Sequence, residues 1–222
     1  MAIELSLPQQ NVAERIYTSG AFKVAEEGGG FRGKLHEDKP DAPLFPYYLS
    51  IRQRDVDPRQ FPLLCKDLAV AMLQDVRARG INATHVLGIP EAGDPIAWAV
   101  QYESGLHLLK INKIQEAGRR RIGTAITGTF AAGDQVLGVD DLVTEGQTKS
   151  EFRESVEKNG LVLAHLALGI DREQGGMESL RASGLSVSAV LTITQLLDFY
   201  LDTGRIDQQT NTRIRRYIAS QQ

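Results

Sequence analysis

From Phe61 onward one rhythm constrains the fold of this chain more than any other feature: short aliphatic runs alternate with amphipathic stretches. "FPLLCKDLAVAMLQDVRARG" reads as a helix ended by Gly80, then "HVLGI" as a strand, "PIAWAVQYES" as a helix and "LHLLKI" as a strand. After a polar loop come the strand "QVLGVD", the helix "TKSEFRESVEKNG", and the strands "LAHLALGI" and "SVSAVLTI". Uninterrupted apolar runs are the mark of strands buried on both faces. The expected fold is therefore α/β, with a mainly parallel sheet, helices on both faces and right-handed crossovers. "TQLLDFYLD" and "NTRIRRYIAS" close the chain as helices, the second with Ile214 and Ile218 on one face. Residues 61–222 thus form the core with its C-terminal helices. Residues 1–60 differ: a helix near Gln9–Tyr17, a Gly- and Pro-rich stretch "EEGGGFRGKLHEDKPDAPLFP" that reads as a long loop or ragged hairpin, and a short strand "YYLSI".

Charge and cysteine content narrow the function. A net charge of -3 provides no global field for nucleic acid, so an anionic ligand must be met by a local cationic site. The single cysteine, Cys65, lies in an apolar helical context and is expected to pack as a small hydrophobe. No segment approaches the roughly 20 apolar residues of a membrane span, and "MAIELSLPQQ" has no basic start, so a cytoplasmic protein is expected.

Ligands of open parallel sheets sit beyond the carboxyl ends of the strands, and there "VLGVDDLVTEGQTKSEF" places Asp140 and Asp141. As strand-end acids they are expected to face solvent. The residues that follow supply backbone amides, the hydroxyls of Thr144 and Thr148, and a Gly146 that allows close approach, all at a helix start. That is a cradle for a monophosphate. Carboxylates beside a phosphate repel it, so they must serve hydroxyls or a metal, and a sugar phosphate with free hydroxyls explains both.

This segment is similar to the signature of the type I phosphoribosyltransferases, which use phosphoribosyl pyrophosphate. The resemblance implies that Asp140 and Asp141 face the ribose hydroxyls, directly or through Mg2+ and its water, and that Leu142, Val143, Thr144, Glu145, Gly146, Gln147 and Thr148 bind the donor, residues 144–148 holding its 5'-phosphate. Most of the chain resembles the orotate branch of the family, through "SGAF", "FPYYLSIR", "LGIPEAGDPIA" and "GIDREQGGMESLRASGLSVSAVLTITQLLDF". By that resemblance residues 1–60 form a small hood on the base-binding side. "PEAGDP" becomes the pyrophosphate loop, with Glu91, Ala92 and Gly93 and a strained or cis peptide. Tyr47, Tyr48, Thr144 and Arg172 would contact the base. Arg172 suits an anionic planar heterocycle gripped bidentately, or else pairs with Asp171 or Glu173.

In the catalytic loop the chain departs from the family. Lys113 matches the first lysine, but Asn112 replaces an arginine, Gln115 or Glu116 stands for the second lysine, and Ala117 replaces a histidine. Arg119, Arg120 and Arg121 either take over the missing charge or form a solvated tip. The resemblance further implies a homodimer whose loop, residues 112–123, reaches the partner's site. Neither Lys34 nor Lys39 can be assigned to the site. The reaction so implied joins orotate to the phosphoribosyl group. A transferase for another base and a non-catalytic binding protein are the alternatives.

Overall fold

The computed structural model describes residues 4–33, 36, 40–116, 118–143 and 147–220. Helix α1 (Leu7–Thr18) starts at Ser6, whose backbone N–H donates to the Gln9 side chain in a capping box. Strands β1 (Phe22–Val24) and β2 (Tyr47–Leu49) pair antiparallel, and the bridge Phe31↔Phe45 extends the pairing, so the described residues of the Gly-rich stretch between them flank a ragged hairpin. Helix α2 (Phe61–Ala78) follows a short 3-10 turn (Gln53–Asp55).

Then come β3 (His85–Gly88), α3 (Gly93–Ser104), β4 (His107–Glu116), β5 (Arg119–Thr127), β6 (Gln135–Val143), α4 (Gln147–Lys158), β7 (Val162–Asp171), α5 (Gly176–Ala182), β8 (Val187–Thr192), α6 (Ile193–Asp202) and α7 (Gln208–Ala219). The main sheet has the order β5-β4-β3-β6-β7-β8, parallel throughout except for the β4–β5 pair. Because the strands are buried on both sides, two cores form. One packs α1, α2, α3, α6, α7 and the N-terminal hairpin on Leu137, Val139, Ile170 and Leu191. The other packs α4 and α5, through Phe152, Val156, Met177 and Leu180, on Leu87, Leu109, Val136 and Leu166. Residues Val12, Tyr47 and Ile214 share the first core, which ties the N-terminal segment to the C-terminal helices. Cys65 is buried there as expected, and burial pushes its thiol up to about 12, far from reactivity. Among the described residues no helix is long and apolar enough to cross a membrane.

The sequence reading of a polar loop after "LHLLKI" is corrected. Strand β4 runs on to Glu116, Gly118 turns with a φ of 76°, and β5 returns along it with Gln115 opposite Arg120 and Lys113 opposite Ile122. Ile111, Ile122 and Ile126 are buried on the α4 side, whereas Ile114, Gln115, Arg120 and Arg121 are exposed. An edge hairpin with one wet face carries only half the apolar signal of the central strands. Helix α5, inside "DREQGGMESLRASG", was also not anticipated; at seven residues it is too short to display a period.

At the amino ends of β7 and β8 a polar relay is sealed in the sheet. His165, 1% exposed, lies between Ser186 Oγ at 2.7 Å and Ser188 Oγ at 2.8 Å. Burial, reinforced by Arg79, pushes its pKa down to about 4, so the folded protein keeps the ring neutral while the unfolded chain takes up a proton. The sign follows: this contribution is complete above pH 6.5 and is lost as the pH falls toward 4. In denaturation experiments from pH 7 to 4, His165→Gln is expected to remove a wild-type loss of up to ~1.4 kcal/mol per pH unit. Parallel pH profiles for wild type and variant would show that His165 is not the group responsible.

Candidate functional site

The acids at the end of β6 are not solvent-facing, contrary to the sequence expectation: Asp140 is 4% and Asp141 7% exposed. Lys149, in the first turn of α4, accounts for this. Its Nζ lies 2.8 Å from Asp140 Oδ2 and donates to the Leu142 carbonyl at 2.8 Å. Asp140 Oδ1 accepts the Asp141 N–H, and Asp141 Oδ1 accepts the Leu142 N–H. One ammonium thus pairs with Asp140 directly and reaches Asp141 only through its field. Burial and the adjacent Asp140 raise Asp141 to about 7, and Lys149 offsets only part of that. Sequence reading passed over Lys149, although a cation in the first turn of a helix runs against the helix dipole and is in that respect a legible signal.

Next to this pair lies the segment between β3 and α3. The Pro90–Glu91 peptide is cis, as the resemblance implied. Gly93 is pressed on the sheet: a Cβ there would meet the Val139 carbonyl at 2.3 Å, and one on Gly88 would meet the Gly93 carbonyl carbon at 2.6 Å. Only a residue without a side chain allows α3 to start this close to β6. The same contact half-buries Asp94, whose carboxyl burial raises to about 6, with Glu91 and Asp140 adding to the rise and Lys110 and Lys113 opposing it. The unforeseen Asp94 is therefore within electrostatic reach of Glu91, Lys113 and Asp140.

The β4–β5 hairpin leans over that group. Arg120 Nη2 pairs with Glu91 Oε1, and Arg121 Nε lies 3.4 Å from Glu151 on α4. Glu151 also accepts the Ile122 N–H at 3.3 Å, and Asn159 donates to the Thr124 carbonyl at 2.7 Å, so β5 is fastened along α4. A register shift between Ile111 and Lys113 re-aims the strand where Asn112 stands. Backbone positions 119 and 147 belong to β5 and α4. Thr144, Glu145 and Gly146, the heart of the expected phosphate cradle, lie outside the described residues, as do Ala117, Lys34 and Lys39. Of the cradle's remainder, Val143 is fully buried and Thr148 half-buried at the start of α4.

On the other side of the acids, Arg172 does not turn to Asp171, which accepts the Glu173 N–H instead. Its guanidinium lies over the Tyr47 ring, 5.6 Å from the centroid, with Nη2 3.4 Å from the phenol oxygen. Its Nε is buried without a partner among the described residues. Tyr217 from α7 stands edge-on to Tyr47 at 6.4 Å. Tyr48, the next residue on β2, points the opposite way, against Phe31 and Asp55. The structure brings Tyr47 and Tyr217 to Arg172, and not Tyr48.

No family model matches the chain. The orotate phosphoribosyltransferase of Thermococcus gammatolerans is 31% identical over 153 residues, which cover 68% of this chain and 77% of that protein. The chain belongs to the orotate phosphoribosyltransferase family. The Caenorhabditis elegans orotate phosphoribosyltransferase is 26% identical over 176 residues, 79% of this chain and 75% of that one. Uridine 5'-monophosphate synthase of Bos taurus is 28% identical over 158 residues, but this chain spans only 32% of its length. Among solved structures, Leishmania donovani UMP synthase superposes with a TM-score of 0.75 at 24% identity, covering 96% of this chain and 42% of that one. Orotate phosphoribosyltransferase of Francisella tularensis gives 0.66 at 15% identity, covering 93% and 96%. These two likenesses bear out the fold.

The two acids are expected to respond differently to substitution. Asp140→Ala strands a buried ammonium and is expected to cost about 3–5 kcal/mol of stability. Asp141 favours its protonated form in the fold, so its contribution falls as the pH rises from 3.8 to about 7. Asp141→Asn is expected to abolish that fall and to leave the protein at least as stable at pH 8. Because His165 acts with the opposite sign over much of this range, the readout is the difference between wild type and variant. A variant less stable than wild type at pH 8 would show that the Asp141 charge is compensated in the fold.

Proposed function

We propose that the chain transfers the phosphoribosyl group of phosphoribosyl pyrophosphate to orotate, giving orotidine 5'-monophosphate and pyrophosphate. The observation that carries this reading is the meeting of Asp140 and Asp141 with the Glu91–Gly93 turn and the arginine hairpin at the carboxyl edge of the sheet. Relatives named as orotate phosphoribosyltransferases support it. On this reading the acids accept the ribose hydroxyls, residues 144–148 hold the 5'-phosphate, and the Glu91–Gly93 turn faces the pyrophosphate. Orotate lies between Arg172 and Tyr47, with Thr144 nearby. A ring nitrogen of the base, giving up its proton to solvent, attacks the anomeric carbon as the bond from that carbon to pyrophosphate breaks, and the transition state has oxocarbenium character. Negative charge grows on the departing oxygens, and Lys113 and the hairpin arginines are the groups within reach to hold it. Arg120 must leave Glu91 to do so, which couples closure of the hairpin to arrival of the ligand.

Among the described residues no cluster of three or more His, Cys, Asp or Glu side chains could cage a metal. Magnesium is commonly held by one or two carboxylates together with substrate phosphates, and Asp140 and Asp141 fit that smaller share. When bound it would neutralise charge on the pyrophosphate. The same reading makes the protein a cytoplasmic homodimer in which the hairpin, built on the edge strand of the sheet, serves the partner's site.

A second reading, binding without turnover, draws on the pairing of Arg120 with Glu91 and of Arg121 with Glu151. Pyrophosphate release that requires both orotate and magnesium is the expected result. Binding of phosphoribosyl pyrophosphate with no release would favour the second reading, and release with a different base would reassign the substrate. Arg120→Ala with Arg121→Ala is expected to lower kcat by about 10²- to 10³-fold with KM little changed. Unchanged kcat would remove the hairpin from the chemistry.

A further inference from the structure

The chemistry above leaves Lys149 unused. It stands third in α4, where the helix amides already present positive partial charge and an added cation is disfavoured. Its side chain is 11% exposed and that of Asp140 6%, so both charges have given up most of their water, a loss that a buried pair does not reliably recover. Neither the helix nor the core gains from an ammonium at this position. What gains is the acid pair, where Asp140 would otherwise face Asp141 with no positive charge between them. Two of the three ammonium donors are committed, to Asp140 Oδ2 and to the Leu142 carbonyl, each at 2.8 Å. These bonds hold Nζ on the carboxylate that an incoming divalent cation would need.

We propose that Lys149 is a resident counter-ion of the acid pair: in the ligand-free protein it occupies Asp140 and keeps divalent cations off the site, so that a metal ion enters only with a phosphorylated substrate. The last clause rests on the phosphoribosyl pyrophosphate reading; the first does not. Lys149 is on this view a positioning residue, orienting Asp140 and setting the order in which cation and substrate bind. It also differs from an ordinary structural ion pair in what its removal does, since neutralising it opens a cation site as well as weakening the fold.

The test is a titration of the ligand-free protein with Mn2+, free ion being followed by electron paramagnetic resonance. Wild type is expected to bind Mn2+ only weakly, in the millimolar range. Lys149→Gln keeps a hydrogen-bond donor toward Asp140 and Leu142 but carries no charge, and is expected to bind Mn2+ at least about tenfold more tightly. Lys149→Arg, which keeps the charge, is expected to resemble wild type. Equal affinities in wild type and the glutamine variant would overturn the proposal. So would micromolar binding to ligand-free wild type, a result that needs no variant to fold. Calorimetry of phosphoribosyl pyrophosphate with wild type in magnesium separates the two readings. Failure to bind there counts against the proposed function, whereas the Mn2+ comparison alone decides the role of Lys149.

Discussion

Carboxylates buried at the end of a strand must be compensated, and the carboxyl edge of this sheet is organised around that requirement. Asp140 has lost its water and recovers part of the loss from Lys149 and the Asp141 N–H. Asp141 has the Leu142 N–H and a protonation equilibrium displaced upward. The resulting site is only partly neutralised, which suits the proposed role of meeting hydroxyls and cations. A fully satisfied network would have had little left to offer a ligand.

Close backbone packing brings the remaining groups within range. Gly88 and Gly93 let α3 begin against Val139, and that approach sets Glu91 and Asp94 beside the acids. A side chain at either glycine would separate the two strand ends. On the far side, β5 is fastened to α4 by Glu151 and Asn159, so the helix carrying Lys149 also positions the hairpin carrying Arg120 and Arg121. Helix α4 therefore links the acid pair to the hairpin arginines, and a shift in one would be felt by the other.

The N-terminal hairpin contributes in a less obvious way. Tyr47 is buried among Phe22, Tyr217 and the first core, yet its ring and phenol oxygen meet Arg172 from the opposite side of the site. The guanidinium is thus oriented by an aromatic face and not by a neighbouring acid, which leaves its charge available to an anion.

Much of this was legible in the amino-acid sequence. Alternating aliphatic runs and amphipathic stretches determine a parallel α/β sheet, because strands covered on both faces have no polar residues to spare. Paired acids before a Thr/Gly segment mark the end of the sheet where the proposed function places the ribose, and the Glu91–Gly93 segment marks its neighbour. The sequence by itself could not tell that Asp140 and Asp141 are buried, since that depends on Lys149 folding back from the next helix onto the strand. Nor could it separate the β4–β5 hairpin from a loop, because strands with one wet face show only a weak alternation of polarity. Tyr47 and Tyr48 are adjacent letters with the same chemistry, and only the pleat of β2 sends one toward Arg172 and the other toward Asp55. Sequence determines which chemistries the chain carries along its length; the tertiary structure decides which of them meet, because that depends on distances between elements far apart in the chain.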